Sequence, residues 1–304
     1  MTIPPKTGGP RTMTFSFPPP AGFDAAPQWT GSGFRLGGEM VSVLEYSENF
    51  EGWSDDLTTL HEENAGDSHP IDVASRSDAL EQLGSHFRSS DAFTLLEVGC
   101  SSGFMLRDMV QRFPAATIIG SDVVRGPLRA LAEKVPNIPL LRFDLVRCPL
   151  DSQSCDAVVM LNVLEHIADD AAALSQVYRI LRPGGIAVIE VPAGPHLFDA
   201  YDKALKHFRR YQISELAEKM RMAGFRVERK SHLGFFLYPA FAWTKHRNQR
   251  VIGDSEDLTG VVKSQASDSS KSRLLSLAVK LERALVKWVS YPTGIRCLAV
   301  GRKD

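Results

Sequence analysis

The chain has 304 residues, 43% of them hydrophobic and 23% charged, with a formal net charge of −1 at pH 7. These values fit a globular chain of one large domain, or one domain with additions, and the near-zero charge excludes a protein whose main business is coating nucleic acid. Four scattered cysteines, Cys100, Cys148, Cys155 and Cys297, form no CxxC pair, which excludes a zinc ribbon and sets a reducing, cytoplasmic environment as the expectation.

Residues 1–35 are rich in Pro, Gly and Thr, with Pro18-Pro19-Pro20 stiffening part of the run. They predict a flexible N-terminal lead without a secretory signal. Residues 36–90 carry Tyr46, Phe50, Trp53, His61, His69 and Arg76 in a polar setting, followed by a helix over about 71–87. An N-terminal helical cap is expected there, with Trp53, His69 and Arg76 as the candidates to close over a ligand.

From residue 91 onward the pattern alternates regularly. Strand 94–98 is followed by helix 104–113, strand 117–122, helix 125–134, strand 139–143, strand 156–161, helix 169–181 and strand 186–191. Strands separated by helices at this rhythm predict an α/β fold with a doubly wound, Rossmann-like, mainly parallel sheet. Right-handed crossovers then gather the ligand loops on one edge. Further on come an amphipathic helix over 213–223 closed by Gly224, a strand over 225–231, an apolar run Leu233–Trp243, a Ser/Asp/Gly-rich loop over 253–272, helical spacing over 274–289 and a last strand over 294–300. Residues 232–290 therefore read as a C-terminal helical insertion between the last two strands. No stretch reaches the roughly 18 apolar residues that a membrane-spanning helix needs.

The central feature is Leu95-Leu96-Glu97-Val98-Gly99-Cys100-Ser101-Ser102-Gly103-Phe104, a buried strand ending in a carboxylate, then a tight small-residue turn opening a helix. Such a unit is where open α/β sheets bind nucleotide-like ligands. A dinucleotide fingerprint wants G-x-G-x-x-G, and from Gly99 the chain reads Gly-Cys-Ser-Ser-Gly-Phe. Glu97 would also repel a phosphate. Facing a cation it makes better sense. Asp122 ends the second strand, where a carboxylate accepts hydrogen bonds from ribose hydroxyls. A ligand with a ribose and a positive charge but no phosphate points to S-adenosyl-L-methionine.

On these residues the chain resembles the class I S-adenosylmethionine-dependent methyltransferases. Glu97-x-Gly99-x-Ser101-x-Gly103 is similar to their motif I, Asp122 to the acidic residue ending strand two, and Asp144 to the Asp near the adenine amino group. Asn162-Val163-Leu164-Glu165-His166 resembles the motif after strand four, and Leu181-Arg182-Pro183-Gly184-Gly185 the turn before strand five. Asp202…His207-Phe208-Arg209-Arg210-Tyr211, Ala223-Gly224-Phe225, Leu237-Tyr238-Pro239 and Pro292-Thr293-Gly294 resemble a narrower bacterial group near the ubiquinone-biosynthesis type, the methyltransferase type 11 and 23 group. The resemblance covers roughly residues 90–304 and implies a seven-stranded sheet. It also implies a cofactor site of Glu97, Gly99, Cys100, Ser101, Gly103, Asp122, Val123, Asp144, Leu145, Asn162 and Leu164, with Arg76 reaching the cofactor carboxylate, and S-adenosyl-L-homocysteine as product. Ser101 departs from the family's middle glycine. Asn162 stands where ubiquinone-type relatives can carry the first Glu of Glu-x-x-Glu-His. Losing that carboxylate weakens a hard-cation site, so no metal is expected.

Methyl transfer from a sulfonium needs alignment and exclusion of water, and a base only when the nucleophile is a hydroxyl or a carbon acid. His166 and His207 are the candidate bases, which favours O-methylation of a small-molecule, glycan or lipid-linked acceptor over N- or C-methylation. Arg209, Arg210 and Tyr211, with Trp53 and His69, are the candidates to hold that acceptor. Leu233–Trp243, followed by Lys245, His246, Arg247 and Arg250, is a core or pocket wall on one reading and a peripheral membrane contact on the other. No nucleic acid partner is expected, and a monomer and a homodimer are both compatible. A nicotinamide-dependent reductase and a non-catalytic cofactor-binding subunit are the alternative readings.

Overall fold

The computed structural model describes residues 15–47, 69–100, 103–251, 282 and 289–304. A small antiparallel sheet comes first, made of β1 (Gln28–Trp29), β2 (Phe34–Leu36) and β3 (Glu39–Val41). The main sheet has eight strands in the order β10-β11-β9-β8-β5-β6-β7-β4. These are β4 (Val43–Glu45), β5 (Thr94–Val98), β6 (Thr117–Asp122), β7 (Leu140–Arg142), β8 (Cys155–Leu161), β9 (Leu181–Pro192), β10 (Arg226–Leu233) and β11 (Arg296–Arg302). The pairs from β4 through β9 are parallel, and β11 pairs antiparallel with both β9 and β10. From β5 the chain winds first toward β7 and then back to β8 and β9. The carboxyl edge between β5 and β8 is thus the topological switch point where such sheets hold ligands.

Helices cover both faces. Helices α1 (Pro70–Gly84), α2 (Phe104–Arg112) and α3 (Arg125–Lys134) pack on one side, where Leu83, Leu95, Leu106, Met109 and Leu128 are fully buried. Helices α4 (Asp170–Ile180) and α6 (Ile213–Met222) lie on the other with Leu96, Val158, Leu174, Val177 and Leu216. Leu95 and Leu96 point to opposite layers, as alternation along a strand covered on both faces requires. Two further helices are α5 (Ala200–Ala204) and α7 (Tyr238–Val251).

The first expectation to change concerns the N-terminus. Within the flexible lead expected over 1–35, Phe17 and Phe34 are core residues, and Phe15, Phe17, Phe34 and Trp29 meet tilted or edge to face with ring centroids 4.8–5.0 Å apart. Tyr46 donates its hydroxyl to the Pro18 carbonyl at 2.8 Å and holds the segment down. The cap is accordingly not wholly helical, because β4 adds itself to β7 and makes eight strands where seven were expected. β9 also starts at Leu181 rather than Ile186, with the Pro183-Gly184-Gly185 turn drawn into its beginning. The expected loop 253–272 and most of the helix 274–289 lie outside the described residues.

One partly buried cation ties the cap to the sheet. Arg296, at the start of β11, reaches Asp72 at 2.5 Å and Ser75 at 2.5 Å on α1, and Glu190 on β9 at 3.2 Å. The cap is therefore integral to the core. Phe34→Ala is expected to cost about 3–5 kcal/mol of unfolding free energy, read by urea denaturation, and a loss below about 1 kcal/mol would show the N-terminal sheet to be an appendage.

Candidate functional site

The carboxyl ends of β5, β6, β7 and β8 deliver four polar side chains to one edge, Glu97, Asp122, Asp144 and Asn162. Glu97 is the last-but-one residue of β5 and is buried, and its Oε2 has no hydrogen-bond partner among the described residues. Burial, and next the Asp122 charge, push its carboxyl well above the ordinary glutamate range, against the pull of Arg76. A buried carboxylate oxygen without a partner is costly, so the side chain is shaped to meet a cationic or hydrogen-donating group.

The turn after β5 is tied to its neighbour by Gly99 and Cys100, whose N–H groups both donate to the Ser121 carbonyl (2.8 and 3.1 Å). Gly99 has φ +83°, and a Cβ there would meet Val163 Cγ2 at 2.4 Å. Gly103 caps α2 with φ +71°, and a Cβ there would meet Leu131 at 2.4 Å. Both positions need glycine on two counts, backbone hand and space. Cys100 offers only its backbone, since its thiol is buried and pushed well up by burial. Ser101 lies outside the described residues, as does Trp53.

Asp122 Oδ1 accepts the N–H of Val123 at 2.7 Å and of Val124 at 3.3 Å, which fixes the carboxylate at the end of β6. Asp144 Oδ1 accepts from the Val146 N–H at 3.1 Å and caps the short 3-10 turn Leu145–Arg147. Its own N–H donates to Ser47 Oγ at 3.0 Å. Asn162 sits in the left-handed region at φ +54°, with its N–H on the Glu190 carbonyl. A non-glycine residue held there marks a backbone that the surroundings over-determine, a feature that clusters at ligand edges. Leu145 and Leu164 are buried. Arg76 donates from Nε to Asp108 at 2.8 Å and lies over the Phe104 ring, near enough to influence Glu97.

Next to this edge is a cluster that brings together Glu165, His166 and His207, with one ligand-type atom from each within 4.8 Å of the others. The two imidazole rings meet edge to face, centroids 4.6 Å apart. Glu165 is fully buried, neither carboxylate oxygen has a hydrogen-bond partner among the described residues, and burial pushes its pKa up to about 8. His207 Nδ1 is 2.8 Å from Asp202 Oδ1. Burial opposes ionisation of Asp202, but the His207 hydrogen bond and the Lys245 and Arg210 cations overcome it and hold that carboxyl well below its usual range. Burial in turn depresses His207, against the pull of Asp202. A neutral imidazole beside an ionised carboxylate must donate from Nδ1, which leaves the Nε2 lone pair as a base.

The expected acceptor ligands turn out differently. Arg209 is committed to Asp170 and the Ala168 carbonyl, each at 2.7 Å. Tyr211 is fully buried, with its hydroxyl on Asp170 at 2.8 Å. Arg210 is buried against Asp202 at 2.8 Å and the Ala193 carbonyl at 2.9 Å. These three hold the loop after β9 to α4 and α5. His69 stands at the start of α1, 3.3 Å from Asp72. Lys245, grouped with a basic membrane-facing run on one reading of the sequence, points inward instead and reaches Asp199 at 2.7 Å and Asp202 at 3.1 Å. Asp202 and Glu165, quoted above only as members of motifs, also belong to this cluster. The signal available for Glu165 was its place beside His166, and for Asp202 its spacing of five from His207.

Residues 96–189 match the family model described as a methyltransferase domain. Over 139 residues, 44% of this chain, it is 31% identical to a Mycolicibacterium smegmatis protein named a probable S-adenosylmethionine-dependent methyltransferase, covering 52% of that protein. Trans-aconitate 2-methyltransferase of Azoarcus sp. is 29% identical over 38% of this chain and 46% of its own length. The chain thus spans about half the length of these relatives. Among solved structures, Haemonchus contortus phosphoethanolamine N-methyltransferase 2, in complex with phosphomonomethylethanolamine and S-adenosylhomocysteine, superposes with a TM-score of 0.54 at 16% identity, over 81% of this chain and 57% of that one. A chain from the Haloferax volcanii complex of the Trm112 methyltransferase activator gives 0.55 at 19% identity, over 82% and 95%. At these identities the likeness is one of fold.

The Glu165 carboxyl carries its own test. Its ordinary pKa of 4.5 is raised to about 8 in the fold, so between those values the folded state binds the proton and the unfolded state does not. Stability from this group is full below the lower value and is lost as pH rises through the upper one. Glu165→Gln, which mimics the protonated form, is expected to gain in relative melting temperature across that window. A parallel pH profile for both proteins would contradict the assignment.

Proposed function

We propose that this chain, a member of the class I S-adenosylmethionine-dependent methyltransferases, transfers a methyl group to a hydroxyl of a small-molecule, glycan or lipid-linked acceptor. The observation that carries the cofactor half is the buried Glu97 oxygen with no hydrogen-bond partner among the described residues, beside a turn whose two positive-φ glycines would each press a Cβ into a neighbouring side chain. That chemistry fits a ligand bearing an ammonium and a sulfonium. Glu97, Gly99 and Gly103 would hold its methionine end, with Ser101 and the Cys100 backbone. Asp122 with Val123 would hold the ribose. Asp144 and Leu145 would hold the adenine, and Asn162 and Leu164 would form the wall. Arg76 would reach the cofactor carboxylate. When bound, the cofactor supplies an electrophilic methyl and a neutral leaving group.

The chain's own work is to align, to exclude water and, for a hydroxyl, to take a proton. His207, neutral and with Nδ1 engaged, supports the role of base. His166, in edge-to-face contact with it, lines the same place. The base is what favours a hydroxyl over an amine, since a hydroxyl is a weak nucleophile until its proton is taken, while a free amine attacks as it stands. Trp53 and His69 stay as acceptor-side candidates. The trans-aconitate 2-methyltransferase among the relatives is named for a small molecule, which supports a small acceptor without naming it.

Asp122→Ala is expected to lower S-adenosyl-L-methionine affinity by at least about tenfold in titration calorimetry, the value of one charge-assisted hydrogen bond. Unchanged affinity would remove Asp122 from the ribose site. Release of S-adenosyl-L-homocysteine with hydroxyl-bearing acceptors but not with their amine analogues is the outcome for O-methylation, and the reverse pattern would overturn it.

A further inference from the structure

Between β9 and the insertion lies a buried ion network that the methyl-transfer scheme does not by itself require. Asp202 is fully buried on α5 and its two oxygens are both used. Oδ1 takes His207 Nδ1 at 2.8 Å and Arg210 Nη1 at 2.8 Å, while Oδ2 takes Lys245 Nζ at 3.1 Å and the Asp199 N–H at 3.1 Å. Asp199 binds Lys245 at 2.7 Å and accepts the N–H groups of Tyr201 and Asp202, which cap α5. Lys245 comes from α7, more than 40 residues further along the chain, and is itself 2% exposed, lying over the Tyr201 ring at 4.9 Å. A lysine this deep is costly unless it is paired. Two carboxylates and two cations cancel here, and the one uncharged member is the imidazole.

We propose that Asp202 and Lys245 are positioning residues for His207: Asp202 fixes the Nδ1–H tautomer that leaves Nε2 as the base, and Lys245 of the insertion helix keeps that imidazole uncharged. The proposal rests on the reading of His207 as the base. It assigns the insertion a part in the chemistry in addition to any part in acceptor choice, since α7 supplies the charge that balances the pocket. The groups facing His207 are Asp202 on α5, Arg210 on its own loop, Lys245 on α7, and Glu165 and His166 from the loop after β8. Of these, Asp202 alone favours the charged imidazole strongly. Lys245 and Arg210 oppose it.

The two positioning residues therefore act on His207 with opposite sign, which a merely structural role would not produce. Nitrogen NMR of the full chain labelled at histidine, in chelator, with His207 assigned from its loss in His207→Gln, reads both tautomer and titration. In the wild type His207 is expected as the Nδ1–H tautomer and neutral at pH 7. Lys245→Met should raise its pKa by about one unit and Lys245→Arg should restore it, while Asp202→Asn should lower it and release the tautomer. An Nε2–H tautomer in the wild type, or a titration that does not move with Lys245→Met, would overturn the proposal. If Asp202→Asn does not fold, the Lys245 pair decides alone. The readout needs neither cofactor nor acceptor, so it is independent of the methyltransferase reading. Failure of the wild type to bind S-adenosyl-L-methionine would overturn that reading and leave the NMR result standing.

Discussion

A carboxylate buried at the end of the central strand sets the terms for everything around it. Glu97 is buried and has one oxygen without a hydrogen-bond partner among the described residues, so burial keeps the group protonated until a positive charge meets it. The backbone around it is built to keep that oxygen available. Gly99 and Gly103 bend the chain away in a hand that other residues resist, Asp122 is pinned by two N–H groups, and Arg76, already held by Asp108, pulls from one side. A phosphate has no place here. A cation does.

The acceptor side follows a different principle. The edge proposed for the cofactor is made from strand ends whose positions the sheet fixes, whereas His207, the proposed base, is held from outside the sheet by α5 and α7 through a network of paired charges. Removing any one member leaves the others buried and unbalanced. The sheet can thus stay constant while cap and insertion vary, which is how one fold serves many acceptors. Arg296 performs the matching task for the cap by joining α1 to β9 and β11.

The parts of the molecule that could be read in advance were those whose signals are local. Strand, carboxylate, small-residue turn and helix start fall within ten residues of Leu95, and the strand ends at Asp122 and Asn162 follow from the alternation around them. Arg209, Arg210 and Tyr211 looked like acceptor ligands because the sequence shows a basic, aromatic run without showing what faces it. Their partners Asp170 and Ala193 lie 17 to 41 residues away, and only folding reveals that they are already engaged. Lys245 misled for the same reason. Phe17 and Phe34 were hidden in a segment whose Pro and Gly content reads as disorder, because strands of two and three residues leave almost no periodicity to detect.

The central claim is that Glu97 waits for a cation, and proton counting tests it most directly. Because burial holds the Glu97 proton above the ordinary range, a bound positive charge should drive it off. Titration calorimetry of S-adenosyl-L-methionine binding at about pH 6, where an ordinary glutamate is already ionised, repeated in buffers of different ionisation enthalpy, measures that proton. The account predicts net proton release in the wild type, and its disappearance together with weaker binding in Glu97→Gln. Binding of equal strength in both proteins, with no proton released in either, would contradict it.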